Sequence, residues 1–461
     1  MLFLSKPIVR PPVQVELGPT ISFKRPMSLI QRGEKTNVRL TYFLSVAGFA
    51  CIIFFTYASV FAFRKAYTAA GFSDVAFPGV PYLTALIIAQ IIGYMISKFM
   101  GIKLIAEMPA DRRWKASLLL MMVAWLSLFV FAWSTPLVGL LCMLVNGFVL
   151  GFMWGIVFSY AEGRRSTDLI GVVLAVSFLF AGGFSRTVGK WLMNEWDVSE
   201  KWMPFGVASL FLLPLVFFYY LLECYPPPGD EDIRARTIRQ PMLANDRTGF
   251  KIRFGAGLTA VVILYLLLTI LRDLRDNYMV RMWHELGYGQ QAGVYTKTET
   301  ISSLIILLLI GCLVFIRDHV KALHLIHAWL VTGFLLAGLS SLSFMGDAIS
   351  GAGWMQWNGM GLYLSYILFN SVYFERLLAV FRIAGNVGFL IYTADAWGYL
   401  GSVGVMLTKQ FLPDNISWVH YYLQCSIWFS LAGLLASIFA WVYFSRKKKK
   451  DGSLSSADYL S

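Results

Sequence analysis

Residues 223–253 read ECYPPPGDEDIRARTIRQPMLANDRTGFKIR. Three consecutive prolines, a glycine and mixed charge break helical order and resist burial in lipid, so this stretch reads as a polar linker. Its position decides the fold. Working outward, six long apolar runs precede it, near 40–67, 79–105, 114–133, 136–160, 169–192 and 203–222. Six more come after it, near 254–279, 293–316, 322–344, 356–378, 381–408 and 418–444. Each supplies the roughly 20 apolar residues that a helix needs to cross a hydrocarbon core about 30 Å thick. Backbone in hydrocarbon must satisfy its own hydrogen bonds, and a single run of this length does so as a helix. The expectation is an all-α integral membrane protein with twelve transmembrane helices in two six-helix, pseudo-symmetric bundles. The parts are an N-terminal arm (1–39), a first bundle (40–222), the linker (223–253), a second bundle (254–444) and a basic tail (445–461).

Composition agrees. Of 461 residues, 57% are hydrophobic and 14% charged, where soluble domains hold about 45–50% and about 25%. The net charge of +13 would suggest nucleic acid in a soluble protein. Here the basic residues sit mostly between apolar runs and act on topology, so a lipid bilayer and not nucleic acid is the expected partner. The arm carries seven basic and two acidic side chains. The tail opens with Arg446 and four lysines, and the loops after spans two and four add Lys98, Lys103, Arg112, Arg113, Lys115, Arg164 and Arg165. Positive charge marks the cytoplasmic side. With an even number of spans both termini lie there, in a plasma membrane of the bacterial inner-membrane kind. The first residues lack the apolar core and small-residue cleavage site of a signal peptide.

The chain has five cysteines, none near another, and five histidines with no ligand set around them. That gives no disulfide framework and no metal site. There is no phosphate-binding GxxxxGK[ST] loop and no nucleophile–base constellation. An enzyme is not expected, nor a cofactor.

The two halves echo each other. Span four exits as Tyr160-Ala-Glu-Gly-Arg-Arg with Gly171 beyond it, and span ten as Tyr373-Phe-Glu-Arg with Gly385 beyond it. Matching positions in two halves are what a duplicated six-helix unit leaves.

Several stretches resemble the major facilitator superfamily and, within it, the organophosphate:phosphate antiporter branch of glycerol-phosphate and hexose-phosphate carriers. They are FFTYASVFAFRKAY (54–67), GYMISKFMGIK (93–103), NGFVLGFMW (146–154), Leu271-Arg272, and WGYLGS (397–402). Leu150 stands where the branch has Gln, span five lacks its histidine, and only Asp111-Arg112-Arg113 remains of the loop motif after span two. The resemblance therefore implies a divergent relative with the major facilitator fold, acting as a secondary transporter of a small organic anion, which could be phosphorylated.

The resemblance also points to site residues. Arg64 and Arg272, pseudo-equivalent on spans one and seven, match the arginines that hold substrate phosphate. A guanidinium forks onto two oxygens in a way that lysine cannot copy. Lys65 is next to Arg64. Charge inside a bilayer is costly and tends to face a cavity or a partner, which adds Arg275, Arg186 and Lys190 to the expected substrate-binding set. At 100° per residue Arg272, Arg275 and Asp276 share a helix face. Asp395, Glu299, Lys297 and Asp276 are expected in coupling or charge pairing, although Lys297 and Glu299, two apart, cannot point at one spot. Asp111, Arg112, Glu162, Glu375 and Arg376 sit at cytoplasmic helix ends and are expected to gate. Coupling would be to protons or to counter-transported phosphate. The other readings are a receptor or assembly component on a transporter fold, and an intramembrane enzyme acting on lipid. The second of these requires a catalytic constellation, and none is visible.

Overall fold

The structure, a computed structural model, describes residues 30–75, 77–106, 108–161, 164, 166–227, 244–291, 293–381, 387–413 and 415–457. The chain divides into two compact units, Met1–Ala47 and Gly48–Ser461. In the first, the described residues form the opening turns of α1. The second holds the remainder of α1 and all the other helices.

Before the linker come α1 (Ile30–Lys65), α2 (Tyr82–Ala106), α3 (Arg113–Trp133), α4 (Pro136–Ser159), α5 (Thr167–Glu195) and α6 (Met203–Cys224). After it come α7 (Ala244–Glu285), α8 (Gly293–Val314), α9 (His319–Met345), α10 (Gly351–Leu368), α11 (Val387–Thr408) and α12 (Trp418–Ala457). Helix α10 runs on through a π-helical turn at Phe369–Tyr373 into Phe374–Val380. Ten of the twelve, all but α10 and α11, are long and apolar enough among the described residues to cross a membrane by length and composition. The fold is all-helical and multi-pass. Helix α7 begins within the stretch read as linker, and residues 228–243 lie outside the described residues.

Sequence signals set the helix ends. Pro136 opens α4, where its missing N–H costs nothing. Asp318 caps α9, accepting from Val320 N at 2.9 Å and Lys321 N at 3.2 Å, and these donors hold its carboxyl below the usual range. Glu285, the last residue of α7, accepts from Trp418 N at 3.1 Å and Val419 N at 2.8 Å, so one helix end caps the start of α12.

In the first half α4 packs on α2 and α3, and α3 on α6. In the second α9 packs on α10 and α12, and α7 on α11 and α12. Among the contacts that join the halves are those of α5 with α8 and of α2 with α11. Exchanging the halves turns one pair into the other, so the interface has the symmetry that the sequence echo suggested. Large apolar side chains such as Leu213 (80% exposed) and Leu308 (72%) face outward. On a soluble protein they would be a liability; on a membrane protein they meet lipid.

Small residues let the helices of each half approach closely. A Cβ on Gly147 of α4 would lie 2.0 Å from Gln90 O of α2, and one on Gly93 of α2 would lie 2.0 Å from Leu144 O of α4. Gln90 also donates to Asn146 Oδ1 at 2.9 Å and Arg64 O at 3.0 Å, tying α1, α2 and α4 together. The NGF stretch thus builds the scaffold that carries Arg64. A Gly147→Val variant is expected to lose its monodisperse folded peak in detergent size-exclusion chromatography, since overpacking costs about 1–3 kcal/mol or more. Gly311→Ala, with nothing within 4 Å of the added Cβ, should elute as the parent does.

Candidate functional site

Between the halves lies a cavity of about 670 Å³, open solvent at its mouth included. Charged groups from α1, α2, α7 and α11 line it, and its walls are aromatic. Tyr57, Phe61, Tyr94 and Trp154 come from the first half, and Tyr363, Tyr366 and Tyr399 from the second.

Arg64 sits at the end of α1 with its guanidinium 4.0 Å from the centre of the Tyr94 ring and 5.6 Å from that of Phe61. It makes no ion pair among the described residues, and its Nε is buried without a hydrogen-bond partner. The ring faces compensate a cation in part. A planar guanidinium stacked on one ring still leaves an edge of N–H donors for a ligand.

Arg272, its counterpart on α7, is already engaged. Its Nε and Nη2 donate to Asp273 Oδ1 at 3.0 and 2.5 Å, and Nη1 donates to the Tyr366 hydroxyl. Its Cζ lies 5.7 Å from the centre of the Tyr399 ring, and Tyr399 meets Tyr94 edge-on with centroids 5.5 Å apart. An aromatic bridge thus links the two arginines across the halves. Both line the cavity, but their charges are not equally available.

Lys65 and Arg186 are brought together by one carboxylate. Lys65 Nζ lies 2.6 Å from Asp276 Oδ2, and Arg186 Nη2 lies 2.6 Å from Asp276 Oδ1. Lys65 also donates to Asn277 Oδ1 at 2.6 Å, and Arg186 donates to Thr68 Oγ1 and Gly182 O, both at 2.8 Å. The cations belong to the first half and Asp276 to the second, so this triad fastens the halves at the end of the bundle where α1 and α7 finish. Other contacts reinforce that end: Thr84 to Tyr278 at 2.9 Å, Thr296 to Thr187 at 2.8 Å and Arg281 to Gly71 O at 3.2 Å.

Towards the other end Asp395 of α11 accepts from the Tyr265 hydroxyl, with Lys98 Nζ of α2 at 3.9 Å. Lys98, read from the sequence as a loop charge that sets topology, instead lines the cavity near the Tyr94 and Trp154 rings. The length of its side chain allows this, since α2 continues past it to Ala106.

Three of the expected substrate-binding residues, Arg275, Arg186 and Lys190, lie outside the cavity lining. Arg275 shares a helix face with Arg272 in projection, yet it turns to Glu299 Oε1 at 2.5 Å and Met355 O at 3.2 Å, fully buried among α7, α8 and α10. A Cβ on Gly359 would lie 2.5 Å from its Nη2, so α10 leaves a slot for it. Arg186 stands behind Asp276, away from the cavity lining, and Lys190 is half-buried outside that lining. Glu299 pairs with Arg275 as a buried counter-ion, while Lys297 is exposed on the other side of the same turn, as the 200° separation requires, and takes no part in the pairing. Of the expected gating residues, Asp111 and Arg112 are exposed, Glu375 is partly exposed, and Glu162 lies outside the described residues. Arg376 is buried and donates to Ile316 O at 3.2 Å beside His319, tying α10 to the connection between α8 and α9.

Sequence reading passed over the tyrosines and Asn370. Asn370 sits in the π-helical turn and approaches Tyr265 Oη at 3.3 Å. Such turns often mark functional sites, but nothing in the residue pattern announces one.

Removing one member of a buried ion pair leaves the partner uncompensated, at about 3–5 kcal/mol. Asp276→Ala, which strands two cations, should therefore lower the melting temperature in detergent by several degrees more than Lys65→Ala. The double variant should melt no lower than Asp276→Ala alone. Strictly additive losses would show that the two side chains are not energetically coupled.

A family model described as a family of unknown function, DUF5690, matches residues 66–447. No curated protein matches the chain in sequence. Among solved structures, a mutant of the nucleoside transporter NupG aligns over 86% of this chain and 98% of its own, with a TM-score of 0.56 at 12% identity. A D-xylose-proton symporter aligns over 86% and 97%, with 0.56 at 14%. The proton:xylose symporter XylE bound to 6-bromo-6-deoxy-D-glucose aligns over 88% and 96%, with 0.53 at 13%. XylE is named there as a member of the major facilitator superfamily, and at these identities the similarity is one of fold.

Proposed function

This chain belongs to the DUF5690 family and has the major facilitator fold, and we propose that it is a secondary transporter that moves a small organic anion by alternating access. The observation that carries this reading is Arg64, an arginine in the central cavity with no counter-ion among the described residues. Placing an arginine at the centre of a bilayer costs about 2.5–3.5 kcal/mol on the insertion scale, and an anion in the cavity would offset that cost. Among the described residues four cations (Arg64, Lys65, Lys98 and Arg272) and three carboxylates (Asp273, Asp276 and Asp395) line the cavity. That excess disfavours a cationic solute.

The neighbours named above carry nucleosides and xylose, and a ring-bearing solute suits the tyrosine walls here as well. The sequence resemblance to organophosphate carriers points to Arg64 and Arg272 as acid-binding residues, and of the two Arg272 is paired with Asp273 while Arg64 makes no ion pair among the described residues. For coupling, Asp395 is the better placed carboxylate, because it lines the cavity while Glu299 is committed to Arg275. A proton on Asp395, or phosphate moving the other way, would supply the counter-flux. The positive-inside pattern supports an orientation with both termini cytoplasmic in the plasma membrane, the halves at 40–222 and 254–444 rocking about the linker.

Purified protein in liposomes tests this. Uptake of at least one organic acid should depend on the protein. Arg64→Ala should reduce that uptake at least a hundredfold, and Arg64→Lys at least tenfold, because lysine keeps the charge and loses the fork. Wild-type uptake rates in a folded Arg64→Ala variant would overturn the proposal.

A further inference from the structure

The two halves present their arginines to the cavity in different states, and the difference comes down to one residue. Asp273 directly succeeds Arg272 on α7. Neighbours on a helix point about 100° apart, so the two side chains must swing towards each other to meet, and they do. Two guanidinium nitrogens converge on Asp273 Oδ1, at 3.0 Å from Nε and 2.5 Å from Nη2. Asp273 is 3% exposed, and its Oδ2 is buried with no hydrogen-bond partner. A solvated surface pair would not leave a carboxylate oxygen bare. On α1 the corresponding neighbour of Arg64 is Lys65, whose charge goes to Asp276 and Asn277. Arg64 therefore has no internal acid, whereas Arg272 carries its own.

We infer that Asp273 is a specificity-determining residue, which cancels the charge of Arg272 and leaves Arg64 as the single anchor for the substrate's acid group. This rests on the reading of the chain as an anion transporter. The substrate class implied is a singly charged organic acid, such as a monocarboxylate, whose remaining bulk lies along the tyrosine walls. A phosphate monoester carries almost two charges above its second pKa of about 6. Its first charge would meet Arg64. Its second would face Asp273 and Asp395, whose own cations, Arg272 at 2.5 Å and Lys98 at 3.9 Å, are already matched to them. Removing the Asp273 charge while keeping its shape would release Arg272 and turn a one-armed site into a two-armed clamp.

The experiment measures dissociation constants at pH 8 for matched pairs that share a carbon frame: glucuronate with glucose 6-phosphate, glycerate with glycerol 3-phosphate, and benzoate with phenyl phosphate. The wild type should bind the carboxylate of a pair more tightly than the phosphate. In Asp273→Asn the ratio of phosphate to carboxylate affinity should rise at least tenfold. In the double variant Arg272→Gln with Asp273→Asn, which removes both charges, the ratio should return to within about threefold of wild type, a shift of under 0.7 kcal/mol. Tighter phosphate binding by the wild type overturns the inference, and so does an unchanged ratio in a folded Asp273→Asn protein. The wild-type comparison needs no variant and stands if the substitution disrupts folding. If no member of any pair binds, the anion reading itself fails and takes this inference with it.

Discussion

Charge buried in a bilayer must find compensation, and the arrangement of this molecule depends on where that compensation is found. Asp273 neutralises Arg272, Glu299 neutralises Arg275, and Asp276 holds Lys65 and Arg186 together. Arg64 alone leans on rings rather than on an acid among the described residues. Stacking over an aromatic face supplies about 0.5–2 kcal/mol, less than the cost of placing the charge there. The site is therefore left wanting an anion, and the scaffold is built to keep it so. Gln90 and Asn146 fix the end of α1, and close glycine contacts fix α2 against α4.

The same carboxylates act mechanically. Asp276 belongs to one half and its cations to the other, so this pair must break if the halves are to part at that end. Lys98 and Asp395, at 3.9 Å, span the halves towards the other end with a looser contact. The ionic contacts between the halves thus differ in tightness from one end to the other. An anion at Arg64, lying between the two layers, would be placed to bias both.

Much of this was legible in the sequence. Twelve apolar runs divided by a proline-rich linker specify the helix count and the two halves, because hydrocarbon leaves the backbone few alternatives. Arg64 and Arg272 stand out in the sequence because they are charges within apolar runs, and in the structure both line the cavity. Projection onto a helix wheel was less reliable. It put Arg275 with Arg272, but a buried glutamate on α8 and a gap at Gly359 on α10 drew Arg275 away, and neither partner can be seen from α7 alone. Lys98 looked like a topology signal because its four-carbon stem lets a residue near a helix end reach inward. The tyrosines were invisible as a site because aromatic residues in a membrane helix are ordinary. The π-helical turn that positions Asn370 leaves no periodic mark. Tertiary neighbours decide each of these cases, and the linear pattern does not encode them.

An arginine that lacks an internal acid needs one from outside, and the most direct measurement compares acids with their neutral isosteres on the unmodified protein. Titration calorimetry of the purified protein with glucuronate and glucose, benzoate and benzamide, and glycerate and glycerol isolates the charge. At least one acid should bind, its neutral counterpart should bind at least a hundredfold more weakly, and the affinity for the acid should be lost in Arg64→Ala. Equal affinity for an acid and its neutral partner, or tight binding by the neutral compounds alone, would contradict the role given to Arg64.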